Sequence, residues 1–383
     1  MSSANARKIA KIDPDRLKPV GPSGTVHVEH KPNLFLVPDQ RYAIHDAQDF
    51  PFSSRLAALQ KWGEGTHSFL TLYKGVKYFT VPGLDGYIPL TINNNFILIV
   101  GQPICDPAMS HIMISALQDY ADATDSIVAA IPTGESGKEM LVGSGFTSIY
   151  VGKEPIYDLK NLAKPSKSIR QAIKRAKRNG LQLVQYSHRY RNQMDDLCKK
   201  WQDGRELPAM GFLFELRPFE SKKYKKYFLV VDGQDTVQAF LACSPIYAKN
   251  GWYLEDLIRE QAAPNGTTEL LVTGTMEALA AEGYDMATLG LAPLAGLPQR
   301  DAKRPYLNMI LRFFFNHLSC IYHFKALEHF KGKFKPTSWD GNYLCHYRSD
   351  NRLVLVGNLL NVFMPYDIKT MIKHKLSKWS WRK

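Results

Sequence analysis

The chain has 383 residues, 45% apolar and 22% charged, with a net charge of +13; that length suggests two cores of about 100–200 residues each. Its longest strongly apolar run, Phe96–Val100, falls far short of the ~20 residues a spanning helix needs. The five cysteines are scattered and form no CxxC pair, which argues against a disulfide framework or a metal site and for buried thiols in a reducing cytoplasm.

Residues 1–33 read as a polar lead-in without the apolar segment of a secretory signal. A first domain is expected over residues 34–162. Arg55–Trp62 has helical spacing, and short strands follow at Ser68–Leu72, Lys77–Val81, Gly86–Thr91 and Phe96–Val100. Pro82-Gly83, Asp85-Gly86 and Asn93-Asn94-Asn95 mark the turns between them. A helix at Met109–Ala123, a strand at Ser126–Ile131, a helix at Glu135–Val142 and a strand at Ser148–Val151 complete a mixed α/β unit.

Residues 163–180 are expected to form a linker helix, with Ser166 or Ser168 as N-cap and Gly180 just past its end. Ile169, Ala172, Ile173 and Ala176 make one apolar stripe, and Lys167, Arg170, Lys174, Arg175, Lys177 and Arg178 take the other faces. The same order of elements then repeats over residues 181–350. Leu181–Gln185, Tyr227–Val231, Thr236–Ser244, Gly251–Ile258, Met286–Leu289 and Asn342–Tyr347 read as strands, and Arg191–Asp203, Gly266–Glu282 and Arg304–Phe315 as helices. The repetition suggests a tandem duplication.

The charge is concentrated. Lys160–Arg178 and the tail from 351 to 383 together carry +14, and the remainder sums to −1. Such stretches favour polyanions, either nucleic acid or an anionic membrane surface; solvated helix faces are the plainer reading. In the tail, Ile368, Met371, Ile372, Leu376 and Trp379 form a helical apolar stripe, with Trp381 near its end and lysines around it. That is the pattern of an interfacial helix on anionic lipid, or of a helix docked on its own domain.

A series of motifs carries a resemblance. In order they are Gly211-Phe212, Asp256-Leu-Ile-Arg259, Pro264-Asn-Gly266 with Glu269 and Leu270, Leu289-Gly-Leu-Ala-Pro-Leu294, and Phe324-Lys-Ala-Leu-Glu-His-Phe-Lys-Gly-Lys-Phe-Lys-Pro336 with Trp339 and Tyr343. The series resembles the C-terminal domain of phosphatidylglycerol lysyl- and alanyltransferases. Fainter marks lie in the first half, at Phe69-Leu with Lys77-Tyr-Phe, Gly101-Gln-Pro103, Gly145-Phe146, Gly152-Lys-Glu154 and Tyr157-Asp-Leu159. The similarity covers roughly residues 35–347. It implies two tandem acetyltransferase-like (GNAT-type) domains joined by the basic helix. Departures are Ile258 and Leu291, where Met is common, and Ala326-Leu-Glu-His in place of a Gly-Leu-Arg pattern. The multi-helix membrane domain of full-length lysyl enzymes has no counterpart here, so lipid contact is expected of the tail.

The resemblance implies transfer from aminoacyl-tRNA, as co-substrate, to a hydroxyl or amine on a lipid headgroup, with no other cofactor. The enzyme would be cytoplasmic, peripheral at the inner face of the membrane. Motif positions make Asp256, Arg259 and Lys331 the expected catalytic residues, with Asn265, Gly266, Glu269, Lys325 and Lys333 binding substrate. The competing structural readings are an Asp256–Arg259 ion pair, an ordinary Asn-Gly turn and solvated lysines. The basic helix, Lys167 to Arg178, is the expected contact for acceptor-stem phosphates. An acyl-CoA-dependent acyltransferase is the runner-up, weakened because Asn265-Gly266-Thr267-Thr268 has one glycine where a pyrophosphate loop has more. A non-catalytic RNA- or membrane-binding protein is the third reading.

Overall fold

The computed structural model describes residues 41–204, 216–293, 295–296, 324–349 and 351–363. Gly211-Phe212, the expected helix Arg304–Phe315 and the tail stripe from Ile368 to Trp381 lie outside the described residues.

The expected mixed α/β class holds. The first half contains β1 (Ala43–His45), α1 (Phe52–Trp62), β2 (Lys77–Thr80), β3 (Gly86–Asn93), β4 (Phe96–Val100) and β5 (Ile104–Cys105). It continues with α2 (Ser110–Ala123), β6 (Ile127–Thr133), α3 (Glu135–Gly143) and β7 (Thr147–Asp158). After α4 (Lys167–Arg178) come β8 (Gln182–Gln185), α5 (Arg191–Asp203), β9 (Lys226–Val231), β10 (Val237–Ile246) and β11 (Gly251–Arg259). Then follow α6 (Thr267–Ala281), β12 (Met286–Thr288), β13 (Ala292–Pro293), α7 (Phe324–Gly332), β14 (Ser338–Tyr347) and α8 (Arg352–Phe363).

The two halves share one sheet, in the order β1-β2-β3-β4-β6-β14-β7-β12-β11-β10-β9-β8, with β5 and β13 as side branches. Each half runs as an antiparallel meander into a parallel pair, β4 with β6 and β11 with β12. The strand that completes each half comes from the other: β14 lies between β6 and β7, and β7 pairs with β12. The duplication suggested by the repeated elements is thus closed by strand exchange.

Apolar residues on both faces of the sheet are covered. On one side of the first half, Met113, Ile114 and Leu117 of α2 pack on Ile97, Ile99 and Val128. On the other, Leu355, Leu359 and Phe363 of α8 pack on Phe96, Leu98 and Ala129. This double cover explains why β4 is buried at every position and reads as a continuous apolar run. In the second half α4 and α6 cover one face and α5 the other. The described cysteines, Cys105, Cys198, Cys243 and Cys345, are buried free thiols, as expected.

Ser68–Leu72 is a correction: it forms a 3-10 turn, not a strand. All five of its residues are buried, so the sequence has no polar–apolar alternation by which to tell a turn from a strand. The apolar stretch after Arg352 forms a helix, α8.

Candidate active site

The basic helix α4 begins as expected, with the Ser166 hydroxyl accepting from the Ile169 amide at 3.3 Å. Ile169 and Ala176 are buried in the second core, and Lys167, Arg170, Lys174, Arg175, Lys177 and Arg178 are all exposed. None of the six makes an ion pair among the described residues, which leaves a bare cationic ridge. Gly266 explains how α6 packs on it. Its φ of +97° suits glycine, and a Cβ there would stand 2.2 Å from the Ala172 carbonyl oxygen of α4. Asn265 beside it is exposed.

Asp256 and Arg259 are not brought together. Arg259 is exposed at the end of β11, and its charge is felt by Glu269. Glu269 pairs with Lys333 at 2.7 Å, and the lysine lies over the Phe330 ring at 4.5 Å. These ionic contacts hold Glu269 below the usual carboxylate range, although its partial burial opposes them. Lys325 lies in α7, its side chain outside the described residues.

Asp256 faces a different environment, set by an irregularity in β11. Ala242 pairs with Asp256 while Cys243 pairs with Leu254, so Glu255 is an extra residue in the ladder. Glu255 accepts from Lys225 Nζ at 2.9 Å, from the Tyr73 hydroxyl at 3.1 Å and from Ser244 Oγ. Asp256 Oδ2 is buried without a hydrogen-bond partner. Burial first, and the Glu255 charge second, raise the Asp256 carboxyl well above the ordinary range, with Lys225 opposing.

Lys331 is the buried member of the expected set, at 5% exposure. Its Nζ donates to the carbonyl oxygens of Gly290 at 2.8 Å and Leu291 at 2.7 Å. Burial lowers this amine to about 7, against a smaller opposing effect of Glu154. A neutral amine has two N–H donors, so both carbonyls are satisfied and the lone pair stays available. His67 stands nearby, lowered to about 4 by burial and by the Lys331 charge, with its ring 5.3 Å from that of Tyr253. Tyr253 also lies against Gly290, where a Cβ would meet its ring at 2.5 Å.

The two clusters are linked by the 3-10 turn Ser68–Leu72. His67 precedes it and faces Tyr253; Tyr73 follows it and binds Glu255. A cavity of about 220 Å³ is lined by residues that include Glu64, His67, Gln102, Glu154, Lys249 and Asn342. Neither Lys331 nor Asp256 lines it, but His67 and Glu154 are within electrostatic reach of Lys331.

A family profile described as phosphatidylglycerol lysyltransferase, C-terminal, matches residues 56–346. The chain belongs to that family. Phosphatidylglycerol lysyltransferase of Bacillus subtilis (strain 168) is 25% identical over 219 residues, 55% of this chain and 25% of that protein. The chain therefore spans about a quarter of that relative's length. The structure of L-PGS from Bacillus licheniformis superposes with a TM-score of 0.72 at 20% identity, over 84% of this chain and 98% of that one. A C-terminal domain (DUF2156) from Agrobacterium fabrum gives 0.65 at 18% identity, over 80% and 94%. These likenesses establish the fold.

Within the lysyltransferase family's motif series, Lys331, Gly290 and Leu291 meet in one site, whereas Asp256 and Arg259 diverge. Sequence reasoning misses Glu255, Lys225, Tyr73, His67, Glu64 and Asn342, and marks Glu154 only as part of a motif. Glu255 could be found only by foreseeing the extra residue in β11, since regular alternation turns neighbours Glu255 and Asp256 to opposite faces.

Proposed function

We propose that this member of the family transfers an aminoacyl group from aminoacyl-tRNA to a lipid headgroup, phosphatidylglycerol first. The observation that carries the reading is Lys331, a buried amine lowered to about 7 and within electrostatic reach of His67 and Glu154, which line the cavity. In the proposed reaction the acceptor hydroxyl oxygen bonds to the ester carbonyl carbon, and the bond from that carbon to the ribose oxygen breaks. Lys331 takes the acceptor's proton and delivers it to the departing ribose oxygen. An amine titrating near the working pH suits both steps. The ester is already activated, so the transfer needs no cofactor. Glu255 acts as a positioning residue that ties β11 to Tyr73. The exposed ridge of α4 supplies phosphate contacts for tRNA.

Lipid contact is assigned to the tail stripe Ile368, Met371, Ile372, Leu376, Trp379 and Trp381. Supporting this, α8 just before it leaves Leu353 58% and Val354 45% exposed. The test supplies purified protein with radiolabelled aminoacyl-tRNAs and phosphatidylglycerol vesicles. Label is expected in the lipid fraction. Label that never leaves tRNA, alongside turnover of acetyl-CoA, would overturn the reading.

A further inference from the structure

Lys331 is held at its tip and at its backbone, and both holds spring from one place in the sheet. At the junction of the two halves β7 runs antiparallel to β12, with Tyr157 opposite Ala287 and Ile156 opposite Thr288. Tyr157 is 1% exposed and Thr288 is fully buried. A buried hydroxyl is nearly always hydrogen-bonded, so its partner shows what it holds in place.

At the amine the holder is Thr288. Successive carbonyls of an extended strand point to opposite sides, so a straight continuation of β12 could not aim two neighbouring carbonyls at one atom. The chain turns instead. Gly290 has a φ of +72°, in the left-handed region, and its N–H donates to Thr288 Oγ1 at 2.9 Å. With the turn closed in this way, the Gly290 and Leu291 carbonyls both accept from Lys331 Nζ, at 2.8 and 2.7 Å. The Tyr253 ring fills the space that a Cβ at position 290 would need.

At the backbone the holder is Tyr157. Helix α7 closes at Gly332, so the Lys331 carbonyl belongs to the last turn, whose acceptors lack helical donors. The Tyr157 hydroxyl donates to that carbonyl at 2.7 Å in a buried bond. The Phe334 amide adds a longer bond at 3.3 Å. A separate tie from β7 to α7, Lys153 with Glu328 at 2.9 Å, is partly exposed and steadies the helix one turn earlier.

We infer that Thr288 and Tyr157 are positioning residues for the transfer step, Thr288 by aiming the two carbonyls that hold the Lys331 amine and Tyr157 by anchoring the last turn of α7. The use of the amine rests on the transfer reading; its placement rests on the hydrogen bonds alone. A group that moves a proton in both directions must keep its distance to the reacting oxygens, and a misplacement of ~1 Å can cost about 10²-fold in rate. Lysine is ill suited to this unaided, because its four-carbon stem is flexible. Thr288 restricts that stem at its tip and Tyr157 at its root. Burial is what lowers the amine, so a slackened hold lets it reach water and regain proton affinity. Tyr157 comes from the first half and Thr288 from the second, so the site is complete only where β7 meets β12.

The test labels lysine Cε with carbon-13 in the full chain and follows the Lys331 signal across pH, assigned by its absence from Lys331→Met. Thr288→Val keeps the shape and removes the acceptor; Tyr157→Phe keeps the ring and removes the donor. Each should raise the amine's proton affinity by about tenfold or more, and move the pH profile of turnover with aminoacyl-tRNA upward by the same amount. At the new optimum kcat should fall roughly tenfold to a hundredfold, with KM little changed. Thr288→Ser keeps the acceptor and should match wild type in both midpoints. Glu328→Gln removes the separate tie and should leave both in place. Where Thr288→Val fails to fold, Tyr157→Phe reads the same midpoint. Unchanged or lowered midpoints in the folded variants, or an equal shift in Glu328→Gln, overturn the inference. Wild-type turnover with no shift in the variants removes the positioning and leaves the transfer reading; shifted midpoints in a protein without turnover do the reverse.

Discussion

Replacing Lys331 by methionine keeps the chain's bulk and removes the amine. The drop from 10.5 to about 7 corresponds to about 5 kcal/mol of native-state penalty on the ammonium. The sign follows from proton counting. Below about pH 7 native and unfolded chains both hold this proton, and the native state carries the burial cost. Above it the native state releases the proton while the unfolded chain keeps it until about 10.5. Wild-type stability relative to Lys331→Met should therefore rise with pH by about 1.4 kcal/mol per unit through that window. The absolute difference at one pH mixes this with the loss of bonds to the Gly290 and Leu291 carbonyls, each worth about 1–3 kcal/mol. The slope is the diagnostic quantity, because titrating groups that do not feel Lys331 are common to both proteins and cancel. Urea unfolding at pH 7, 8 and 9 measures it. Parallel curves would mean that Lys331 stays an ammonium anchored by its two carbonyls, and the proton-transfer role would fall. If the role holds, turnover in Lys331→Met should drop by about 10²–10⁴ with a folded protein.

Asp256→Asn should gain stability over wild type as pH rises above the ordinary carboxylate range, since the buried carboxyl is destabilising once ionised; a pH-independent difference in urea midpoints would contradict the burial argument. Gly266→Ala should cost at least about 2 kcal/mol, from the left-handed backbone and the 2.2 Å clash with α4, which thermal unfolding reads directly. Reversing Lys174, Arg175 and Arg178 to glutamate should weaken tRNA binding and flatten its salt dependence by roughly 0.7–0.9 for each phosphate the ridge no longer neutralises; filter binding across KCl concentrations that leaves the slope unchanged would remove α4 as the tRNA site. Deleting residues 366–383 should abolish binding to anionic vesicles in a sedimentation assay, and full retention of binding would rule out the tail as the lipid contact.

Most helices and strands are legible because their packing is local in pattern. The bounds of α5 and β4 match the sequence expectation residue for residue, and α4 is marked by its serine cap and its single stripe. What stays hidden is non-local. The 3-10 turn Ser68–Leu72 contains only buried residues, and its role comes from reaching across to Tyr253 and Glu255. The register shift in β11 turns Glu255 toward Lys225, and no alternation pattern announces it. The Asp256–Arg259 spacing suggests a pair, yet the end of β11 carries Arg259 into solvent. Lys331 is found by motif position alone. Its lowered amine comes from burial, and the carbonyls that hold it lie about forty positions earlier in the chain.

The exchange of β7 and β14 has a consequence for how the protein is made. During synthesis the first half emerges with β6 lacking its neighbour, because β14 ends only at Tyr347. β7 in turn waits for β12, more than a hundred residues downstream. Neither half can close its sheet as an independent folding unit. Later still, α8 emerges to seal the exposed face of β4 and β6 through Leu355, Leu359 and Phe363. The nascent chain thus carries open edges until both halves have left the ribosome. That order predicts slow, late acquisition of protease resistance, and a strong dependence of yield on an intact β14.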